Sequence, residues 1–129
     1  MTQTIPKNVE TNANLLKHLQ LICEEARSDT VETLGAVGSG HSGPSLSIIE
    51  ILVTLYFKEM RIDPDRPKWD ARDRFVLSKG HGALGYYAVL SRRGYFLRDE
   101  LFTFESLGSR LQGHPDTLLT PGEIGRAHV

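Results

Sequence analysis

The stretch Arg74-Phe75-Val76-Leu77-Ser78-Lys79-Gly80-His81-Gly82 constrains this chain more than any other. Phe75, Val76 and Leu77 form a short apolar run, the length of a strand buried on both faces. Lys79-Gly80-His81-Gly82 breaks that run, and residues 83–90 follow as apolar, helix-forming sequence. The order predicts strand, tight loop and helix, with one imidazole at the turn. In an open parallel sheet, ligands gather beyond the carboxyl ends of the strands, where a helix start offers N–H groups to an anion. A histidine placed there can donate a hydrogen bond to a phosphate. By itself the stretch is better read as a solvated surface turn, because Gly-His-Gly is neither the dinucleotide fingerprint nor the P-loop.

The flanking sequence predicts mostly helix. Residues 1–14 are polar, with Pro6 among Thr and Asn, and are expected to form a flexible tail. Leu15, Leu19, Ile22 and Ala26 recur at helical spacing, and Val31, Leu34 and Val37 extend the stripe into one helix or two. Gly35, Gly38, Gly40 and Gly43 then interrupt regular structure around His41. Ser47 and Glu50 have the spacing of a capping box, ahead of a segment to Met60 that is apolar nearly all round. Such a segment predicts a helix buried between other elements or at a subunit contact. Residues 61–73, charged and carrying Pro64 and Pro67, predict a surface loop. A helix is expected from about Ala83 to Arg93, with Gly94 as its C-cap. Leu97, Leu101, Phe104 and Leu107 predict a further short amphipathic helix.

One strand among four or five helices leaves the apolar faces short of partners. The expected fold class is therefore α/β, a parallel sheet flanked by helices, present only in part and helix-rich.

Composition narrows the function classes. A formal net charge of −1 gives no reason to expect nucleic acid or an anionic membrane as partner. No apolar run approaches the ~20 residues that span a bilayer. Cys23, the only cysteine, can form neither an internal disulfide nor a thiolate metal cluster, and reads as a small core residue. Residues 1–14 lack the charged-then-apolar order of a signal peptide, so a cytoplasmic setting is expected.

Three histidines share one context: Gly40-His41-Ser42-Gly43, Gly80-His81-Gly82 and Gly113-His114-Pro115. Each follows a glycine in a predicted loop beside a helix or strand end. Converging on one cleft, they could bind sugar hydroxyls and phosphates and move protons near neutral pH. Any one of them alone is adequately explained as a polar loop residue. Three histidines can also hold zinc, but there is no His pair at i, i+4 spacing, no HExxH and no nearby acidic ligand. No Gly-x-Ser-x-Gly elbow supports a serine hydrolase.

Together the blocks Gly38–Gly43, Asp73–Gly82 and Gln112-Gly113-His114-Pro115-Asp116 resemble the N-terminal blocks of the transketolase family, in order and spacing. The stretch from Tyr56 to Pro64 most resembles the shorter, two-gene type. The resemblance runs from about Leu15 to Gly122. It implies a thiamin diphosphate enzyme that transfers a two-carbon ketol unit between sugar phosphates. It further implies catalytic contacts from His41 and His114 to the sugar, and cofactor contacts from His81, Gly80 and Gly82 to the diphosphate. The implied partners are a C-terminal transketolase subunit, or the remaining part of the chain, in a homo- or hetero-oligomer. Deoxyxylulose-phosphate synthase and dihydroxyacetone synthase are the neighbouring enzyme alternatives, and a non-catalytic partner-binding module is the alternative outside enzymes.

The sequence departs from the family twice. Ser42 stands where the family usually carries proline. The family's magnesium ligands and activating glutamate have no counterpart here, so they are expected outside this chain, and the isolated chain is expected to be inactive. Residues 15–122 are thus expected to be a partial domain. Residues 123–129 are expected to be a non-native tail, because they can be back-translated as the start of a common sequencing-library adapter. Ordinary family codons at those positions in the nucleotide record would refute that.

Overall fold

The structure, a computed structural model, describes residues 7–38, 40–115 and 120–121, with side chains from residue 12 onward. Helix α1 is Lys7–Val37, α2 is Ser42–Leu46 and α3 is Ile49–Thr54. α3 continues into a π-helical turn, Leu55–Glu59. A 3₁₀ turn, Gly80–Gly82, runs directly into α4, Ala83–Arg93, and a second 3₁₀ turn spans Arg98–Thr103.

Helix α4 is the centre. Every residue from Ala83 to Leu90 is buried, because α1, α2, α3 and both 3₁₀ turns pack around it. Tyr86 and Tyr87 fill the middle, and the Tyr86 hydroxyl meets that of Tyr56 at 2.8 Å. Gly94 closes the helix in the left-handed conformation, φ 108°, its N–H donating to Leu90 and Ser91 carbonyls as a glycine C-cap does.

α1 follows the expected stripe except at Val31, with Leu15, Leu34 and Val37 partly buried against the core. Leu19, Ile22, Cys23 and Ala26 are buried, and burial pushes the Cys23 thiol above its ordinary pKa. Beyond Ala26 the buried residues are Asp29, Thr30 and Thr33, while Val31 is exposed. The threonine hydroxyls donate to the carbonyls one turn back, Ala26 at 2.8 Å and Asp29 at 2.7 Å, so they cost the interior little. The Asp29 carboxylate, 1% exposed, is taken by two guanidiniums. Arg92 of α4 binds it through Nε at 2.6 Å and Nη2 at 3.0 Å, and Arg98 through Nε at 2.6 Å. Each arginine reaches out to a second acid, Glu25 for Arg92 and Glu32 for Arg98. The carboxylate holds both guanidiniums more firmly protonated than usual.

Several expectations need correction. Of the tail expected over residues 1–14, residues 1–6 lie outside the described residues and the part from Lys7 is helical, because extending a helix already packed at Leu19 adds one hydrogen bond per residue fixed. The capping box is not made: α3 begins at Ile49 with Ile48 as N-cap and no side-chain cap, and Glu50 pairs with Arg27 instead. The apolar segment after it is not buried all round, since Ile51 is 61% exposed. The strand expected at Phe75–Leu77 has no ladder; only Leu77 carries a β-bridge, and no strand forms among the described residues. A parallel strand exists through hydrogen bonds to neighbours, and apolar content alone does not supply them. The helix expected around Leu97–Leu107 is a 3₁₀ turn that buries Leu101, with Phe104 just past it, and leaves Leu97 and Leu107 in solvent.

Replacing Asp29 with alanine leaves two guanidiniums facing a site without its anion. Asp29→Ala should lower the unfolding free energy by roughly 2–3 kcal/mol in urea titrations followed by circular dichroism. Glu32→Ala, at the exposed end of the network, should cost under about 1 kcal/mol. Equal, small losses would show that the buried pairing is not what holds α1 to α4.

Candidate active site

All three glycine-flanked histidines lie on one wall. The His41 and His81 ring centroids are 4.8 Å apart at 88°, and those of His81 and His114 are 5.4 Å apart at 71°. His81 is the middle ring, and all three side chains are exposed. Residues 40 and 33 positions apart along the chain thus present adjacent imidazoles.

Each ring is delivered by a buried anchor beneath it. His41 is the N-cap of α2, with extended backbone and no side-chain cap, so its ring is left to the surface. Gly40 before it has φ 121°, a conformation that favours glycine, and a Cβ there would have to push the Leu34 Cδ2 methyl aside from 2.8 Å. α2 is seated on α4 by Ser45, which is fully buried and accepts the Gly85 N–H at 3.1 Å. That bond satisfies one N–H of the first turn of α4, which has no partner inside the helix. A Cβ on Gly85 would lie 2.6 Å from the Ser45 carbonyl oxygen.

His81 sits in the 3₁₀ turn between Gly80 and Gly82, both buried, and the space of a Gly82 side chain is filled by Ile48. Lys79 reaches back to Ser47 at the end of α2, Nζ to Oγ at 2.5 Å, and Ser47 in turn donates to the Pro44 carbonyl at 3.2 Å. The His114 loop is held from below: Tyr87 of α4 donates to the Gln112 carbonyl at 2.6 Å, and the Gln112 amide donates to Ser109 at 2.7 Å. Sequence reasoning assigned no role to Lys79, Ser45 or Tyr87 at this wall. Lys79 beside Gly-His-Gly was the available signal; the other two are visible only once α4 is placed.

Chemically the wall offers imidazoles and an ammonium at the start of an eleven-residue helix, whose N-terminal end favours negative charge. That donor set fits a phosphorylated, hydroxyl-bearing ligand. Among the described residues, no group of three His, Cys, Asp or Glu side chains could hold a metal ion. Nor is any helix among them long and apolar enough to cross a membrane.

A wall of exposed loop histidines at a helix start has the donor set of a domain for a phosphate-bearing ligand. The chain belongs to the transketolase family: residues 19–126 match its thiamine diphosphate binding domain. The match runs past Gly122 into the segment expected to be a non-native tail, and 122–129 lie outside the described residues. The chain is similar to the 6-deoxy-6-sulfo-D-fructose transketolase subunit of Clostridium sp. (strain MSTE9), 49% identical over 74% of this chain and 35% of that protein. It is 42% identical to one subunit of the apulose-4-phosphate transketolase of Phocaeicola vulgatus, over 81% of this chain and 37% of that one. Among solved structures, the transketolase of Leishmania mexicana superposes with a TM-score of 0.76 at 34% identity, covering 81% of this chain and 16% of that one. The chain therefore spans about a third of those two subunit relatives, 35% and 37%.

The seating of α2 on α4 can be tested directly. Gly85→Ala must push the Ser45 backbone away, and should destabilise by about 1–3 kcal/mol and shift the His41 ring resonances. Gly43→Ala, with nothing within 4 Å of its added Cβ, should be neutral or slightly stabilising. A silent Gly85→Ala would contradict the close packing.

Proposed function

We propose that this chain supplies the histidine wall of a transketolase, an enzyme that moves a two-carbon ketol unit between sugar phosphates with thiamin diphosphate. The observation that carries the reading is the row of three imidazoles at the start of α4. In this reading His81, on the Gly80–Gly82 turn, donates to the diphosphate. His41 and His114, flanking it, bind the sugar and hold or pass protons at its hydroxyls. Bound thiamin diphosphate supplies the electron sink for carbon–carbon cleavage. The residues of this chain bind, orient and exchange protons around it. Solved structures of the Pichia stipitis transketolase are described as complexes with sedoheptulose 7-phosphate and xylulose 5-phosphate, which supports sugar phosphates as the substrate class.

Two of the similar proteins are named as subunits, which supports pairing with a C-terminal-type transketolase subunit in an oligomer. Magnesium belongs to the same proposal, as compensation for the diphosphate charge, with ligands outside the described residues. The chain alone is then inactive and binds the cofactor weakly, in a cytoplasmic setting.

Calorimetry on the isolated chain with thiamin diphosphate and magnesium should show weak or no binding; tight, magnesium-dependent binding would overturn that part. In the assembly with a C-terminal subunit, ketol transfer from xylulose 5-phosphate separates the roles. His81→Ala should weaken cofactor binding about tenfold, the loss of one charge-assisted hydrogen bond. His41→Ala and His114→Ala should lower kcat/KM on the order of 10²-fold with cofactor binding unchanged. Wild-type kcat/KM in both of the latter would sink the assignment.

A further inference from the structure

Glu105 is, among the described residues, the one non-glycine residue with positive φ, 61°, a conformation that a side chain with a Cβ rarely adopts. The surroundings hold it there. Its N–H donates to the Leu111 carbonyl at 2.9 Å, and Phe104 just before it is buried. The carboxylate lies over the base of the His114 loop: Oε1 stands 2.7 Å from the place a Gly113 Cβ would occupy, so any side chain at 113 would displace it. The Glu105 carboxylate thus stands against Gly113, beside the residue that carries the third imidazole.

We propose that Glu105 is a positioning residue for His114, its carboxylate fixing the orientation of the imidazole on the wall and favouring its protonated form. The inference rests on the reading of His114 as a sugar-facing group. It gives that group a proton to offer a sugar oxygen, whereas an isolated exposed imidazole is mostly neutral at pH 7. His81 lies across the wall, with Lys79 two residues before it. Tyr87 donates from α4 to Gln112, and Glu105 comes from the loop's own base. Asp116 follows two residues on, outside the described residues, and enters the test as a separate variant.

The experiment follows the His114 ring resonances across pH in the full chain, with His18 on α1 as reference. Glu105→Gln keeps the shape and removes the charge, and should lower the His114 titration midpoint by about half a unit, the size of a solvent-screened contact. Gly113→Ala, which pushes the carboxylate away, should move it in the same direction. Glu105→Gly relieves the left-handed backbone, and should leave the melting temperature equal or higher while giving the same fall in midpoint. A merely structural residue would not separate those two readings. An unchanged midpoint in Glu105→Gln overturns the proposal, whatever Asp116→Asn does. Failure of the sugar reading would show separately, as a midpoint shift that persists while His114→Ala leaves kcat/KM of the assembled enzyme unchanged.

Discussion

Helix α4 can be enclosed on all sides only because its neighbours approach closely at its first turn, where Gly85 lets the backbone of Ser45 come within contact distance. That contact does two things at once. It buries the N-terminal half of the helix without leaving the Gly85 N–H unpaired, and it fixes α2, whose N-cap is His41, against the turn that carries His81. The distance between those two imidazoles is set two layers below them, in a serine–glycine contact with no chemistry of its own. Tyr87, two residues further along α4, performs the same service for the His114 loop.

α4 itself was legible because its signals are local and redundant: an apolar run, the preceding Gly-His-Gly and the Gly94 C-cap all point to the same boundaries. The three histidine loops were legible because glycine on the N-terminal side marks a turn whatever the tertiary context. The elements that were misread depend on partners distant in sequence. Ser47 has capping-box spacing, but its hydroxyl is engaged by Lys79, 32 residues away, and Glu50 is engaged by Arg27. The Phe75–Leu77 run has strand composition, yet a strand is a property of a ladder rather than of a triplet.

Asp29 is the clearest case of a residue that periodicity cannot find. At its helical position the stripe rule asks for an apolar side chain, and Val31, which seemed to continue the stripe, turns outward. A carboxylate there is tolerable because two arginines, 63 and 69 residues on, supply charge and hydrogen bonds to both oxygens. Such a pairing is a poor source of net stability relative to a leucine, but it is directional. A leucine would let α1 slide along α4, whereas two forked guanidiniums on one buried carboxylate admit a single register.

Register matters here because the three rings of the candidate site are exposed, so their spacing depends on the segments that carry them. Precision has to come from the scaffold below: the Asp29 pairing sets α1 on α4, and the Ser45–Gly85 and Tyr87–Gln112 contacts set the loops on α4. The anchors are buried while the rings are exposed, so what positions the imidazoles is separate from the surface they present. The buried polar side chains accordingly lie on the elements packed around α4, with Asp29, Thr30 and Thr33 on α1 and Ser45 on α2, while α4 is the one helix that all three loops share.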